Sequence, residues 1–164
     1  ATMDKNLSPH YATIKEKNLT VNELLTIASL VEKEGAKTED RKLIAGVFYN
    51  RLNLGMPLQS NIAILYAEGK LGQKISLADD VAIDTTIDSP YNVYKNIGLM
   101  PGPVDSPSLD AIESSINQTK SDNLFFVANV QDGKVYFAAT KEEHDKNVEE
   151  HINSKLKQSN NTFA

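Results

Sequence analysis

The run Ala28-Ser29-Leu30-Val31-Glu32-Lys33-Glu34-Gly35 carries an apolar helix straight into two carboxylates and a glycine. A carboxylic acid at the end of a hydrophobic helix is a candidate proton donor. To work as a general acid near neutral pH, such a group needs its pKa lifted from about 4.3 toward 6 or 7, which partial burial away from cations achieves. A shift of that size costs roughly 3 kcal/mol at neutral pH, which a core of this size can bear. At about 100° per residue, Glu32 and Glu34 fall on opposite flanks of the apolar stripe, so the helical wheel leaves both open. Position favours Glu34. It sits in the last turn beside Gly35, which can take the left-handed conformation that ends a helix or let another group come close. The competing reading is a solvated, charged helix end, the usual fate of such residues.

The elements that must position this acid are well signalled. Thr20-Val21-Asn22-Glu23 reads as a capping box, and Leu24, Leu25, Ile27, Ala28, Leu30 and Val31 follow at helical spacing. Thr38 is expected to cap a second helix, with Glu39 and Asp40 in its first turn, a stripe from Leu43 through Leu52, and a stop at Gly55. Met56 to Gln59 reads as an extended link, and Ser60 is expected to cap a third helix ending near Gly69. Ser76 can cap one further turn from Leu77 to Asp80. From Ile83 to Ser106 the pattern gives way to Pro, Gly, Asn, Asp and Tyr, and a loop of that length is functional or disordered. Its tyrosines and asparagines favour function, because tyrosine rings stack on sugar faces and amides bind hydroxyls. The alternative is ordinary turn chemistry with tyrosines tucked into the core.

Ser106-Pro107 is expected to start the next helix, through Leu109, Ile112 and Ile116. Leu124 to Val130 and Lys134 to Ala139 flank Asp132-Gly133, a β-hairpin signal. Thr140-Lys141-Glu142-Glu143 forms another capping box, opening a last helix toward Leu156, with a polar tail from Gln158 to Ala164. The fold class is α+β, mainly helical, with a small antiparallel hairpin.

Composition narrows the function. The 164 residues suit one domain with a real core, and a hydrophobic content of 40% is that of a soluble globular protein. A net charge of -5, with no long Lys/Arg run, argues against nucleic acid and leaves a neutral or polar glycan open. With no cysteine there is neither a disulfide nor a thiolate metal site. His144 and His151 share a helical face but lack the closer His/Glu spacing of a zinc helix, and they are expected on the surface, with no metal and no cofactor. Gly69-Lys70-Leu71-Gly72 is not a phosphate loop, and the prolines within Gly98 to Gly102 and beside it remove the donors such a cradle uses. Ser29 and Ser60 lack a nucleophile-elbow signature. There is no signal peptide and no apolar run of the roughly 20 residues that span a bilayer, so the chain as given is expected to be soluble.

Taken together, these residues resemble the endolytic murein transglycosylases of the MltG or YceG-like type, from about Leu24 to Ile152. The resemblance rests on Ala28 to Glu34, on Val47-Phe48-Tyr49-Asn50-Arg51-Leu52 with Gly55 to Gln59, on Tyr91 to Tyr94, on Gly98 to Pro103, and on Phe126-Val127 with Phe137 and His144 to Asn147. It implies a lysozyme-like helical catalytic domain over 21–157, preceded by a lead-in over 1–20 and followed by a disordered tail. It also implies cleavage of peptidoglycan glycan strands outside the cytoplasm by an enzyme anchored to the bacterial membrane, in contact with cell-wall synthesis proteins. The family's catalytic acid, the second glutamate of Glu-Lys-Glu, lands on Glu34. One carboxylate suffices in such a reaction, because the substrate's own C6 hydroxyl is the nucleophile and is delivered intramolecularly. Gln59, Asn61, Tyr91, Asn92 and Tyr94 are the candidates for holding the glycan, and Gly98, Pro101 and Gly102 for shaping the cleft wall. Asn61 stands where the family commonly has aspartate, which removes a possible second acid. The family's membrane helix and LysM-like module are not in this chain, which therefore reads as the catalytic part. A non-catalytic glycan-binding or scaffold module and a hydrolytic muramidase stay open as rivals.

Overall fold

The computed structural model describes residues 10–16, 18–69, 83–129 and 131–154. The turn expected at Ser76 to Asp80, Leu156 and the tail lie outside these. The elements run α1 (Tyr11–Glu16), α2 (Val21–Glu34), α3 (Thr38–Leu54), α4 (Asn61–Ala67), α5 (Leu109–Ile116), β1 (Phe125–Ala128), β2 (Val135–Ala138) and α6 (Lys141–Val148). A π-helical turn, Glu149–Asn153, continues α6. The fold is mainly helical α+β, with one two-stranded antiparallel sheet among the described residues.

The centre is α2. Its capping box is complete: Glu23 N–H donates to Thr20 Oγ1 at 3.1 Å and Thr20 N–H to Glu23 Oε1 at 3.0 Å. Leu24, Ile27, Ala28, Leu30 and Val31 have no exposed surface, and two clusters meet on the helix. In one, Ile27, Leu30 and Val31 pack with Ile44 and Phe48 of α3 and with Leu58, Val93, Met100 and Val104 of the connecting segments. In the other, Leu24 and Ala28 meet Ala111, Ile112 and Ile116 of α5 and Ile14 of α1, a short helix the sequence pattern did not announce. Even the hydroxyls buried on α2 are answered. Thr26 Oγ1 donates to Asn22 O at 2.7 Å, and Ser29 Oγ donates to Thr26 O at 2.8 Å while accepting from Val104 N–H at 3.1 Å.

Several local expectations are corrected. Gly35 is extended (φ −135°), not left-handed; a Cβ there would lie 2.8 Å from Ile44 Cδ1, so the glycine makes room for α3. Thr38 does not cap α3, because its hydroxyl donates to Asp110 Oδ1 at 2.9 Å and Lys37 holds the cap position without a side-chain bond. The next helix starts two residues later than expected, with Ser108, not Ser106, accepting from Ala111 N–H at 3.2 Å. The Thr140 box is half formed: its hydroxyl accepts from Glu143 N–H, but the Glu143 carboxylate reaches Ala139 N–H instead. The stop at Gly55 (φ +68°) is found as expected.

The hairpin also forms as expected, with Gly133 at φ +72° in its turn. Phe125 faces Ala138, Phe126 faces Phe137, Val127 faces Tyr136 and Ala128 faces Val135. Phe126 anchors it to the helices, meeting Phe48 edge-on at 5.6 Å.

Candidate active site

Glu34 ends α2 at the rim of an open cleft of about 640 Å³. The start of α4 supplies Gln59, Asn61 and Ile62, with Tyr94 beside them; the hairpin supplies Phe125 to Asn129; Arg51 comes from α3, and Lys141 and His144 from α6.

The contact that organises the helical side is the Ser60 hydroxyl, which donates to Glu34 Oε1 at 2.6 Å. Ser60 is the N-cap of α4 and is 2% exposed, yet its side chain makes no capping bond. The hydroxyl that would close the helix start is turned onto the carboxylate. Immediately before it, Gln59 holds a left-handed backbone (φ +56°), which costs a non-glycine residue about 1 kcal/mol or more. Its N–H donates to Val93 O at 3.2 Å, which ties the link to the long loop. This sharp corner faces the side chains of Gln59 and Asn61 into the cleft with Glu34. The Tyr94 hydroxyl donates to Asn61 Oδ1.

Glu32 also lines the cleft, but its Oε2 accepts from Ser108 N–H at 3.0 Å, which ties α2 to the start of α5. Geometry thus separates the two glutamates that the helical wheel left equivalent.

The remaining expected residues do not line the cleft. Asn92 has no exposed surface. Its Nδ2 donates to Thr85 O and Ile87 O at 3.1 and 2.7 Å, and its Oδ1 accepts from the N–H groups of Tyr94 and Lys95 at 3.0 and 3.2 Å. It is a staple that folds the loop and aims Tyr94. Tyr91 packs against Tyr66 with ring centres 4.7 Å apart. Pro101 is exposed, its carbonyl accepting from Asn22 Nδ2 at 3.2 Å, while a Cβ on Gly102 would lie 3.7 Å from the Tyr91 hydroxyl. Gly98 takes φ +94° within the turns of the same loop. These four build the loop behind the cleft and not its wall.

Arg51 and His144 are among the cleft residues that are not expected site candidates. Arg51, 5% exposed, donates from Nε to Leu124 O and from a terminal nitrogen to Pro57 O, each at 2.6 Å, and lies over the Phe125 ring at 5.0 Å. A signal existed: an arginine three residues after Phe48 and seven after Ile44 lies on the buried stripe of its helix. His144, expected on the surface, is half-buried and stacked on Phe125 with ring centres 5.1 Å apart. Burial first and then Lys141 hold its pKa below the ordinary value, with Asp145 pulling the other way and Arg51 adding the smallest push downward. The resemblance includes His144 in one of its blocks, but nothing in the local pattern announces its burial, because the contact is made by a strand nineteen residues earlier.

A mainly helical α+β domain with a hydroxyl-held glutamate in an open cleft is the class of protein that fold and site define. The chain belongs to the YceG-like family, whose sequence model matches residues 1–150. It is similar to the endolytic murein transglycosylase of Streptococcus pneumoniae serotype 2 (strain D39 / NCTC 7466), with 85% identity over 156 residues, 95% of this chain and 28% of that protein. The endolytic murein transglycosylase of Bacillus subtilis (strain 168) is 43% identical over 142 residues, 87% of this chain and 38% of the relative. Among solved structures, a YceG-like protein from Listeria monocytogenes superposes with a TM-score of 0.76 at 41% identity, over 88% of this chain and 46% of that one. The chain thus spans less than half the length of these relatives. No helix among the described residues is long and apolar enough to cross a membrane.

Proposed function

We propose that this chain is the catalytic part of an endolytic lytic transglycosylase. It cuts the β-1,4 bond between N-acetylmuramic acid and N-acetylglucosamine in peptidoglycan strands and leaves 1,6-anhydro ends. The observation that carries this reading is the Ser60 bond to Glu34 inside an open cleft, supported by the relatives named murein transglycosylases. A groove open to solvent admits the middle of a polymer.

In this reading Glu34 protonates the glycosidic oxygen. It then takes the proton of the muramoyl C6 hydroxyl as that oxygen closes on C1. Ser60 donates to one carboxylate oxygen and so fixes the plane of the carboxyl group through both steps. No second carboxylate is needed to activate water, because the nucleophile belongs to the substrate. Gln59, Asn61 and Tyr94 hold the sugar, while Tyr91, Asn92, Gly98, Pro101 and Gly102 act at one remove by building the loop that carries Tyr94. The unit spans 21–157, works outside the cytoplasm beside wall-synthesis proteins, and in the full-length protein is held to the membrane by a segment outside this chain.

Glu32 favours a second reading, a hydrolytic muramidase, because a further carboxylate does line the cleft. Its bond to Ser108 N–H weighs against it. Mass spectrometry of digested strands separates the two, since hydrolysis adds water and transglycosylation does not. Glu34→Gln is expected to lower cleavage by about 10²- to 10⁴-fold with fold and glycan binding retained. Equal activity in the variant would reject Glu34 as the acid, and reducing ends alone would reject the lytic step.

A further inference from the structure

The hairpin wall differs in kind from the helical one. Five consecutive residues, Phe125 to Asn129, line the cleft. Side chains of a strand alternate between faces, so an unbroken run can line a groove only where the strand lies edge-on to it. The hydrogen bonds say which groups that edge carries. Asn129 N–H donates to Lys134 O at 2.9 Å and continues the register one step, so Phe125, Val127 and Asn129 turn their backbone groups toward β2. Leu124 N–H donates to Ala138 O at 3.0 Å, out of step with that register, as a bulge at the strand's start does. Phe126 and Ala128 therefore turn N–H and C=O away from β2. The cleft residue Arg51 takes the carbonyl at the head of this edge, Leu124 O, and thereby marks the side on which it lies.

An outward strand edge invites pairing with another chain, and here it is confined within the groove that holds Glu34. We infer that the β1 edge at Phe126 and Ala128 is a docking rail for the acetamido groups of the glycan, on the N-acetylglucosamine residues of the strand. The inference rests on the peptidoglycan reading above. A secondary amide offers one N–H and one C=O, the complements of what the edge presents. The hydroxyls of the sugar ring are served by the side chains of Gln59 and Asn61. A stem peptide is a poorer match, since alternating L and D residues cannot keep the regular pleat that an added strand needs. The rail reads the modification state of the strand: a glucosamine whose acetyl group has been removed presents an ammonium in place of the amide and has no carbonyl to accept from the edge.

The test uses peptide-free strands in two forms, fully N-acetylated and N-deacetylated at glucosamine only. Binding is measured to Glu34→Gln, which removes turnover from the comparison. The expected result is binding of the acetylated form about 5- to 10-fold tighter, the scale of one to two hydrogen bonds. Ala128→Pro in the same background deletes one outward N–H without touching the ladder, and is expected to lose most of that discrimination. Phe126 is left intact because its ring packs on Phe48. Should circular dichroism show the proline variant misfolded, replacing the Ala128 amide by an ester removes the same N–H. Equal binding of the two strands, or full discrimination without the Ala128 N–H, overturns the rail. The parent chain's products are read separately: anhydro ends without acetyl discrimination reject the rail and keep the enzyme, whereas no anhydro ends from either strand reject the enzyme reading itself.

Discussion

Helices α4 and α5 both open on a serine in an extended conformation, and the two hydroxyls do different work. Ser108 accepts from Ala111 N–H, as a cap should; Ser60 leaves its helix start without a side-chain bond and donates to Glu34. A side-chain cap is worth about 1 kcal/mol, and α4 forgoes it. At α4 the local rule predicts one bond and the chain makes another, and that second bond reaches a carboxylate of the cleft.

Four substitutions bear on that contrast beyond the Glu34 test. The largest effect is expected from Ser60→Ala, which removes a hydrogen bond to the acid without removing a cap. Cleavage is expected to fall about 10- to 100-fold, with little change in the midpoint of urea unfolding. Stability loss with normal kcat would break the comparison. Ser108→Ala is expected to do the reverse, lowering stability by about 1 kcal/mol while kcat/KM is kept. Gln59→Gly is expected to stabilise the fold by about 0.5 kcal/mol through relief of the left-handed corner, yet to weaken glycan binding. That would show the corner to be kept for function. The smallest effect concerns pH. His144 has a lowered pKa in the folded chain, so the unfolded chain binds more protons between that value and about 6.5. Stability is therefore full above about 6.5 and declines as pH falls through the folded value. His144→Phe, which keeps a ring over Phe125, is expected to flatten that part of the stability profile.

Much of this was legible in the chain, and the rest failed for identifiable reasons. The Thr20 box, the Gly55 stop and the Asp132-Gly133 turn are bonds among near neighbours, which pattern rules describe well. Thr38 and Ser60 escape such rules because each has a partner far along the chain, Asp110 and Glu34 respectively, that outcompetes its own helix start. Gly35 reads as a left-handed stop, whereas the need there is space beside Ile44. Asn92 has the polarity of a ligand-binding residue, and only its burial with four internal bonds reveals a staple. The helical side of the cleft could be listed from residue types. The hairpin side could be recognised as a block of the resemblance but not as a cleft wall, because an outward N–H and a stacked histidine leave no mark on the residue pattern.

The order in which the cleft's parts emerge from the ribosome has its own consequence. Glu34 and Ser60 are made first, and the hairpin and His144 follow them. At ordinary elongation rates the acid precedes the second wall by on the order of ten seconds. Throughout that interval a growing chain carries the Glu34 carboxylate without the second wall of its groove. On the function proposed above, the cleft is thus completed only once the hairpin has been made, well after the carboxylate at its centre.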